Sequence, residues 1–118
     1  MASTTTEGGW ITSHVLDTAK GCPATGIRLT LDALGAGGKW ETVATDVTND
    51  DGRSSISRAG SHVLRAGKYR VIFHCGDYIG DNGFYDDIVI AFRVAKAGEH
   101  YHIPLLLSPF GYSTYRGS

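Results

Sequence analysis

Between one glycine-rich turn and the next, apolar residues in this chain recur at every second position, and that pattern commits it to β-strands. Ile27, Leu29, Leu31 and Ala33 alternate with Arg28, Thr30 and Asp32, a period of two that gives each strand one core face and one wet face. Leu34-Gly35-Ala36-Gly37-Gly38 reads as a hairpin loop, and Trp40–Val47 as its return strand. Asn49-Asp50-Asp51-Gly52 is a turn, because Asn and Asp bond their own backbone and Gly accepts a positive φ. The alternation resumes over residues 67–74, with Tyr69, Val71 and Phe73 opposite Lys68, Arg70 and Ile72, and again over Ile88–Val94 and 101–107. Pro109 and Gly111 then break the chain before a last strand at 112–116. The polar link 77–87 is the one place for a helix, a short one at 77–83. Seven or eight short strands with almost no helical periodicity imply an all-β sandwich.

A length of 118 residues fits one domain with one core. The Thr- and Gly-rich segment 1–10 reads as a disordered leader, without the basic and apolar regions of a secretory signal, and 11–118 as the domain. A net charge of −1 gives no electrostatic case for nucleic acid or a membrane surface, and no apolar run is long enough to span a bilayer. Cytosol is the default location, with the peroxisome as the alternative, although no Ser-Lys-Leu ending is present. Cys22 and Cys75 are too few for a disulfide framework and are expected as free thiols.

Five histidines, at positions 14, 62, 74, 100 and 102, offer side chains able to take a proton from water near neutral pH. Their spacing does not rank them. Strand parity adds one constraint: His102 and Leu106 lie opposite Tyr101, Ile103, Leu105 and Leu107, so a core-facing second set points His102 outward. An outward imidazole on a monomer is screened by water and becomes useful when another subunit covers it. His100 and His102 share a strand face, a tolerable spacing for metal ligands, but with only Glu99 beside them no metal is expected. Gly35-x-Gly37-Gly38 joins two strands and so fails as a phosphate loop. The run into the terminus, Ser108-Pro109-Phe110-Gly111-Tyr112-Ser113-Thr114-Tyr115-Arg116-Gly117-Ser118, is aromatic and strand-forming where chain ends usually fray; by itself it reads first as an ordinary last edge strand, and second as an end that lines a pocket.

Four stretches carry a family resemblance: Ser13-His14-Val15-Leu16-Asp17-Thr18, Asn49-Asp50-Asp51-Gly52-Arg53, Tyr101-His102-Ile103-Pro104-Leu105-Leu106-Leu107-Ser108-Pro109, and Tyr115-Arg116-Gly117-Ser118. In this order they resemble the transthyretin-like 5-hydroxyisourate hydrolases, enzymes of urate breakdown. The resemblance implies a transthyretin-like sandwich of two four-stranded sheets with one short helix. It implies metal-free, cofactor-free, histidine-assisted attack of water on 5-hydroxyisourate, giving 2-oxo-4-hydroxy-4-carboxy-5-ureidoimidazoline. It matches His14, Arg53, His102 and Ser118 to catalytic positions and His14, Arg53 and Tyr115 to substrate contacts. It leaves His62, His74 and His100 as surface or structural residues. It further implies a homotetramer, a dimer of dimers with active sites in the channel between dimers. The match departs at Asp86, where the family generally has proline, and over 75–83. Two other readings compete. A thyroid-hormone carrier on the same fold would lack the terminal Tyr-Arg-Gly-Ser, and an adhesion-type sandwich module would be expected to carry an export signal and disulfides.

Overall fold

The computed structural model describes residues 8–118, and the segment 1–7, most of the expected leader, lies outside the described residues. Ordered pairing begins at Trp10, inside the segment expected as leader. Among the described residues, β1 (Trp10–Asp17), β2 (Cys22–Pro23), β5 (Arg53–Ser54), β8 (His100–Ser108) and β9 (Gly111–Thr114) form one sheet, in the order β2-β1-β8-β9 with β5 on β1. β3 (Arg28–Leu34), β4 (Trp40–Val47), β6 (Gly67–Phe73) and β7 (Ile88–Val94) form the other, in the order β4-β3-β6-β7. The architecture is the expected all-β sandwich, the first sheet reaching five strands because the two-residue β5 hooks onto β1. One pairing is parallel, β1 with β8; the rest are antiparallel.

The alternation read from the sequence sorts the faces. Ile11 and Val15 of β1, with Tyr101, Ile103, Leu105 and Leu107 of β8, meet Leu29, Leu31, Tyr69, Val71, Phe73, Ile88 and Val94 of the facing sheet in one core. Fully burying a side chain of this kind contributes about 1.5–3 kcal/mol. Trp10, Thr12, His14 and Leu16 occupy the other face of β1, and His100, His102 and Leu106 the other face of β8. The helix is α1 (Gly76–Ile79), extended by a 3-10 turn over Gly80–Asn82, so it starts one residue before its expected position. The Asp86 carboxylate closes against its first residue: a Cβ on Gly76 would stand 1.8 Å from Asp86 Oδ1.

Asp32, expected on a wet face, is buried. It keeps its place on the outer face, paired with Arg70 of β6, and is covered there: Arg70 Nε donates to its Oδ2 at 2.8 Å and Thr42 Oγ1 to its Oδ1 at 2.8 Å. The Arg70 guanidinium in turn lies 4.5 Å from the Trp40 ring centre, which roofs the pair. A buried carboxylate is tolerated when paired and bonded in this way. Among the described residues no helix is long and apolar enough to cross a membrane.

Candidate active site

Segments distant in sequence converge on the outer face of the first sheet. The parallel register sets Thr12 opposite His102 and His14 opposite Pro104, and paired residues share a face. On the other side of β1, His14 stands opposite Arg53 of β5. Thr12, His14, Arg53 and His102 therefore project from one surface.

The turn before β5 aims two of them. Asn49 Oδ1 accepts from the backbone N–H of Asp51 at 2.9 Å and of Arg53 at 3.0 Å, the local bonding that makes Asn a turn residue. Gly52 has φ 76°, and a Cβ there would meet the Val15 carbonyl oxygen at 2.4 Å, so the position admits only glycine. The Asp51 carbonyl can only accept, so His14 Nε2–H donates to it at 2.9 Å, which fixes a proton on Nε2.

The end of the chain closes over the same face. The Gly117 N–H donates to the His102 carbonyl at 2.9 Å in an isolated antiparallel bridge. A Cβ on Gly117 would lie 2.4 Å from His102 Cδ2, so only a bare backbone can pass this close. Ser118 thereby lines a cleft of about 240 Å³ together with Thr12, Ser13, Arg53, Ser54, Ser55, His100 and His102. Of the candidate residues, Arg53, His102 and Ser118 share this cleft, and His14 adjoins it beside Arg53. Tyr115 does not line it. It is largely exposed and lines a neighbouring cavity of about 270 Å³, which also touches Ile90, Phe92, Ile103, Arg116 and His102.

Several cleft residues escaped the sequence reading, Ser13, Ser54 and Ser55 among them, and also Thr12 and His100, the latter assigned a surface or structural role. The Thr12 hydroxyl is 2.6 Å from His100 Nε2 and 2.7 Å from His102 Nδ1. The His100 ring stacks on Trp10, with centroids 4.3 Å apart and planes 13° apart. The Arg58 guanidinium covers the Trp10 ring at 4.5 Å. Arg116 donates to the His100 carbonyl at 3.2 Å and to Glu99 Oε1 at 3.4 Å. The shared-face spacing of His100 and His102 was the available signal; the hydroxyl between them depends on the β1–β8 register.

Burial is the main influence on the cleft imidazoles. It lowers the His102 pKa, and Arg53 and the protonated forms of His100 and His14 push it the same way. His100 is lowered by burial, then by Arg58 and Arg116. A neutral ring is the form that can accept a proton. Two other histidines are satisfied elsewhere: His62 by the Tyr69 hydroxyl at 2.8 Å, and His74 by Thr30 at 2.8 Å and Asp87 at 3.2 Å. Cys22 and Cys75 are free thiols, and the Cys75 pKa is pushed up to about 12 by burial and then by Asp87. Among the described residues no three His, Cys, Asp or Glu side chains cluster as metal ligands.

The profile of the HIUase/Transthyretin family matches residues 11–117. The chain belongs to this family. It is 44% identical to a 5-hydroxyisourate hydrolase of Pseudomonas aeruginosa, over 93% of this chain and 92% of that protein. Its fold superposes on the 5-hydroxyisourate hydrolase of Klebsiella pneumoniae with a TM-score of 0.78 and 34% identity, over 92% and 99% of the two chains. It superposes equally well on sea bream transthyretin in complex with thyroxine, with a TM-score of 0.82 and 31% identity, over 91% and 93% of the chains. HIUase/Transthyretin backbones therefore serve proteins of two different names, and the fold does not choose between them. Within the family the choice falls to the cleft residues.

Proposed function

We propose that this chain hydrolyses 5-hydroxyisourate in urate degradation, opening its six-membered ring to 2-oxo-4-hydroxy-4-carboxy-5-ureidoimidazoline. One observation carries the reading: a neutral imidazole, His102, and a guanidinium, Arg53, share a cleft with the Ser118 end of the chain. The names of the relatives at 44% identity support the same substrate.

His102 is the base. Its Nδ1 is engaged by Thr12, so its Nε2 takes the proton from a water as the water oxygen bonds to the ring carbonyl carbon. Arg53 donates to the oxyanion that forms, its fork suited to a planar polarised group. Collapse of the tetrahedral adduct breaks the carbon–nitrogen bond, and the proton passes from His102 to the departing nitrogen. His14, held by Asp51, binds the substrate alongside Arg53. Ser118 orients substrate or water from the open end, and Tyr115 borders the entrance from the neighbouring cavity. Base catalysis of this kind contributes about 10²–10⁴-fold, and positioning and oxyanion stabilisation supply the rest.

The site lies on an outer sheet face, so we further propose a homotetramer, a dimer of dimers whose channel covers it, working in the cytosol. Exposed Val89 on the free edge of β7 and Tyr112 on β9, with exposed Phe84 and Phe110 nearby, support subunit pairing along those edges. The test is a urate-oxidase-coupled assay following the decay of freshly made 5-hydroxyisourate, with light scattering for mass and cell fractionation for location. Decay no faster than the spontaneous rate, with saturable thyroxine binding, would replace the hydrolase reading with the carrier reading.

A further inference from the structure

We propose that His100, acting through the Thr12 hydroxyl, is a positioning residue that holds His102 in its Nδ1–H tautomer and so turns the Nε2 lone pair toward the cleft. The proposal rests on the hydrolase reading above, and adds to it what makes His102 a base.

A hydroxyl has one proton to give and two lone pairs to accept with. The Thr12 Oγ1 contacts, 2.6 Å to His100 Nε2 and 2.7 Å to His102 Nδ1, are both hydrogen bonds. Thr12 can donate to only one ring, so with both rings neutral at least one of the two nitrogens carries a proton and donates to Thr12. Three arrangements satisfy the two contacts. In the first, His102 Nδ1–H donates to Thr12, Thr12 donates to His100 Nε2, and His102 Nε2 is bare. In the second every bond reverses, and His102 Nε2 carries the proton and cannot take another. In the third both nitrogens donate to Thr12, which leaves the hydroxyl proton no acceptor among its contacts and is set aside.

The surroundings select the first. The cleft side of His102 faces Arg53, whose guanidinium only donates and so matches a lone pair rather than an N–H. Burial, then Arg58 and Arg116, disfavour a charged His100, and a neutral ring keeps one nitrogen able to accept. Stacking on Trp10, itself covered by Arg58, fixes the plane of the His100 ring and with it the direction of that lone pair. The geometry is that of an orienting group behind a base, with a hydroxyl relaying the effect.

The experiment combines imidazole ¹H–¹⁵N correlation spectra of His102 in the full-length protein with steady-state kinetics on 5-hydroxyisourate. Wild type should show the Nδ1–H tautomer. Thr12→Val removes the hydroxyl at constant shape, and His100→Phe keeps a ring on Trp10 while removing the acceptor. Each should lose the Nδ1–H preference and lower kcat by about 10- to 100-fold, part of the contribution of a well-oriented base, with KM within about twofold. Thr12→Ser and His100→Gln, which keep a hydroxyl and an acceptor, should restore both readouts. An Nε2–H tautomer in wild type, a tautomer indifferent to Thr12→Val and His100→Phe, or kcat unchanged in both variants would overturn the proposal. Failure of the hydrolase reading is read separately, as a wild-type protein that holds the Nδ1–H tautomer yet leaves 5-hydroxyisourate decay unaccelerated.

Discussion

At His102 the Nδ1 nitrogen is tied to Thr12, and burial, with Arg53 among its neighbours, disfavours the charged ring. The sign of the pH response follows. Burial and the neighbouring cations disfavour the imidazolium, so the proton arrives at lower pH than on a free histidine, whose pKa is about 6.5. The acid limb of kcat/KM should therefore have its midpoint below about 6.5, measured as a pH–rate profile of the free enzyme. Linkage acts on stability in the same window. The unfolded chain takes up the proton first, so conformational stability is flat above the ordinary value and falls as pH drops through it toward the lower folded value. Urea unfolding of His102→Gln against wild type at several pH values should show a shallower fall in the variant. Replacing His102 with Ala should lower kcat by about 10²–10⁴-fold, read in the coupled assay. That His14, Arg53 and His102 belong together came from the family resemblance of their stretches, and the structure brings the three to one face. Thr12 and His100 were not legible in the sequence, because parity tells which way a side chain points but not which strand lies beside it.

The turn at 49–53 shows how an element places a site residue. Gly52→Ala forces a Cβ into a positive-φ residue and against the Val15 carbonyl, a strain of about 1–3 kcal/mol. For a domain of this size that lowers Tm by several degrees, and it should also weaken activity by moving Arg53 off the face it shares with His14. Thermal unfolding and the coupled assay on the same sample check both halves. The link between β1 and α1 is of a different kind. Asp17 is buried at the end of β1, accepting from Tyr78 Oη at 2.8 Å and from the Lys20 and Ala19 amides at 2.9 and 3.1 Å. Burial raises its pKa, but these bonds outweigh burial and the net shift is downward. Tyr78→Phe removes one of three donors to a buried carboxylate and should cost about 1–3 kcal/mol in urea unfolding near pH 7. Strand existence and facing were readable from alternation, and the helix from its polar link. The two-residue β2 and β5 were not, since two residues carry no period, and the burial of Asp32 was not, because its cover comes from Arg70 and Trp40 on neighbouring strands.

As a whole, the molecule assembles its cleft from both extremities and closes it with the backbone of Gly117 against His102. A tag fused after Ser118 should therefore depress activity far more than one placed before Met1; equal rates for the two fusions would contradict the position of Ser118. Association is testable on the open edges. Val89→Lys on β7 places a charge where subunit pairing is proposed and should lower the mass seen by light scattering together with the rate. The terminal motif announced that the chain's last residues matter, and the fold supplies the reason, a carbonyl on β8 for Gly117 to bind. The parallel ladder has one more effect. Each residue of β1 finds its β8 partner ninety positions further along, from Trp10 with His100 to Asp17 with Leu107. During synthesis the first strand must wait, paired at most with β2 and β5, until that late segment leaves the ribosome. Loop closure over such a span is slow, and until β8 has emerged no nascent fragment can bring Thr12 against His102.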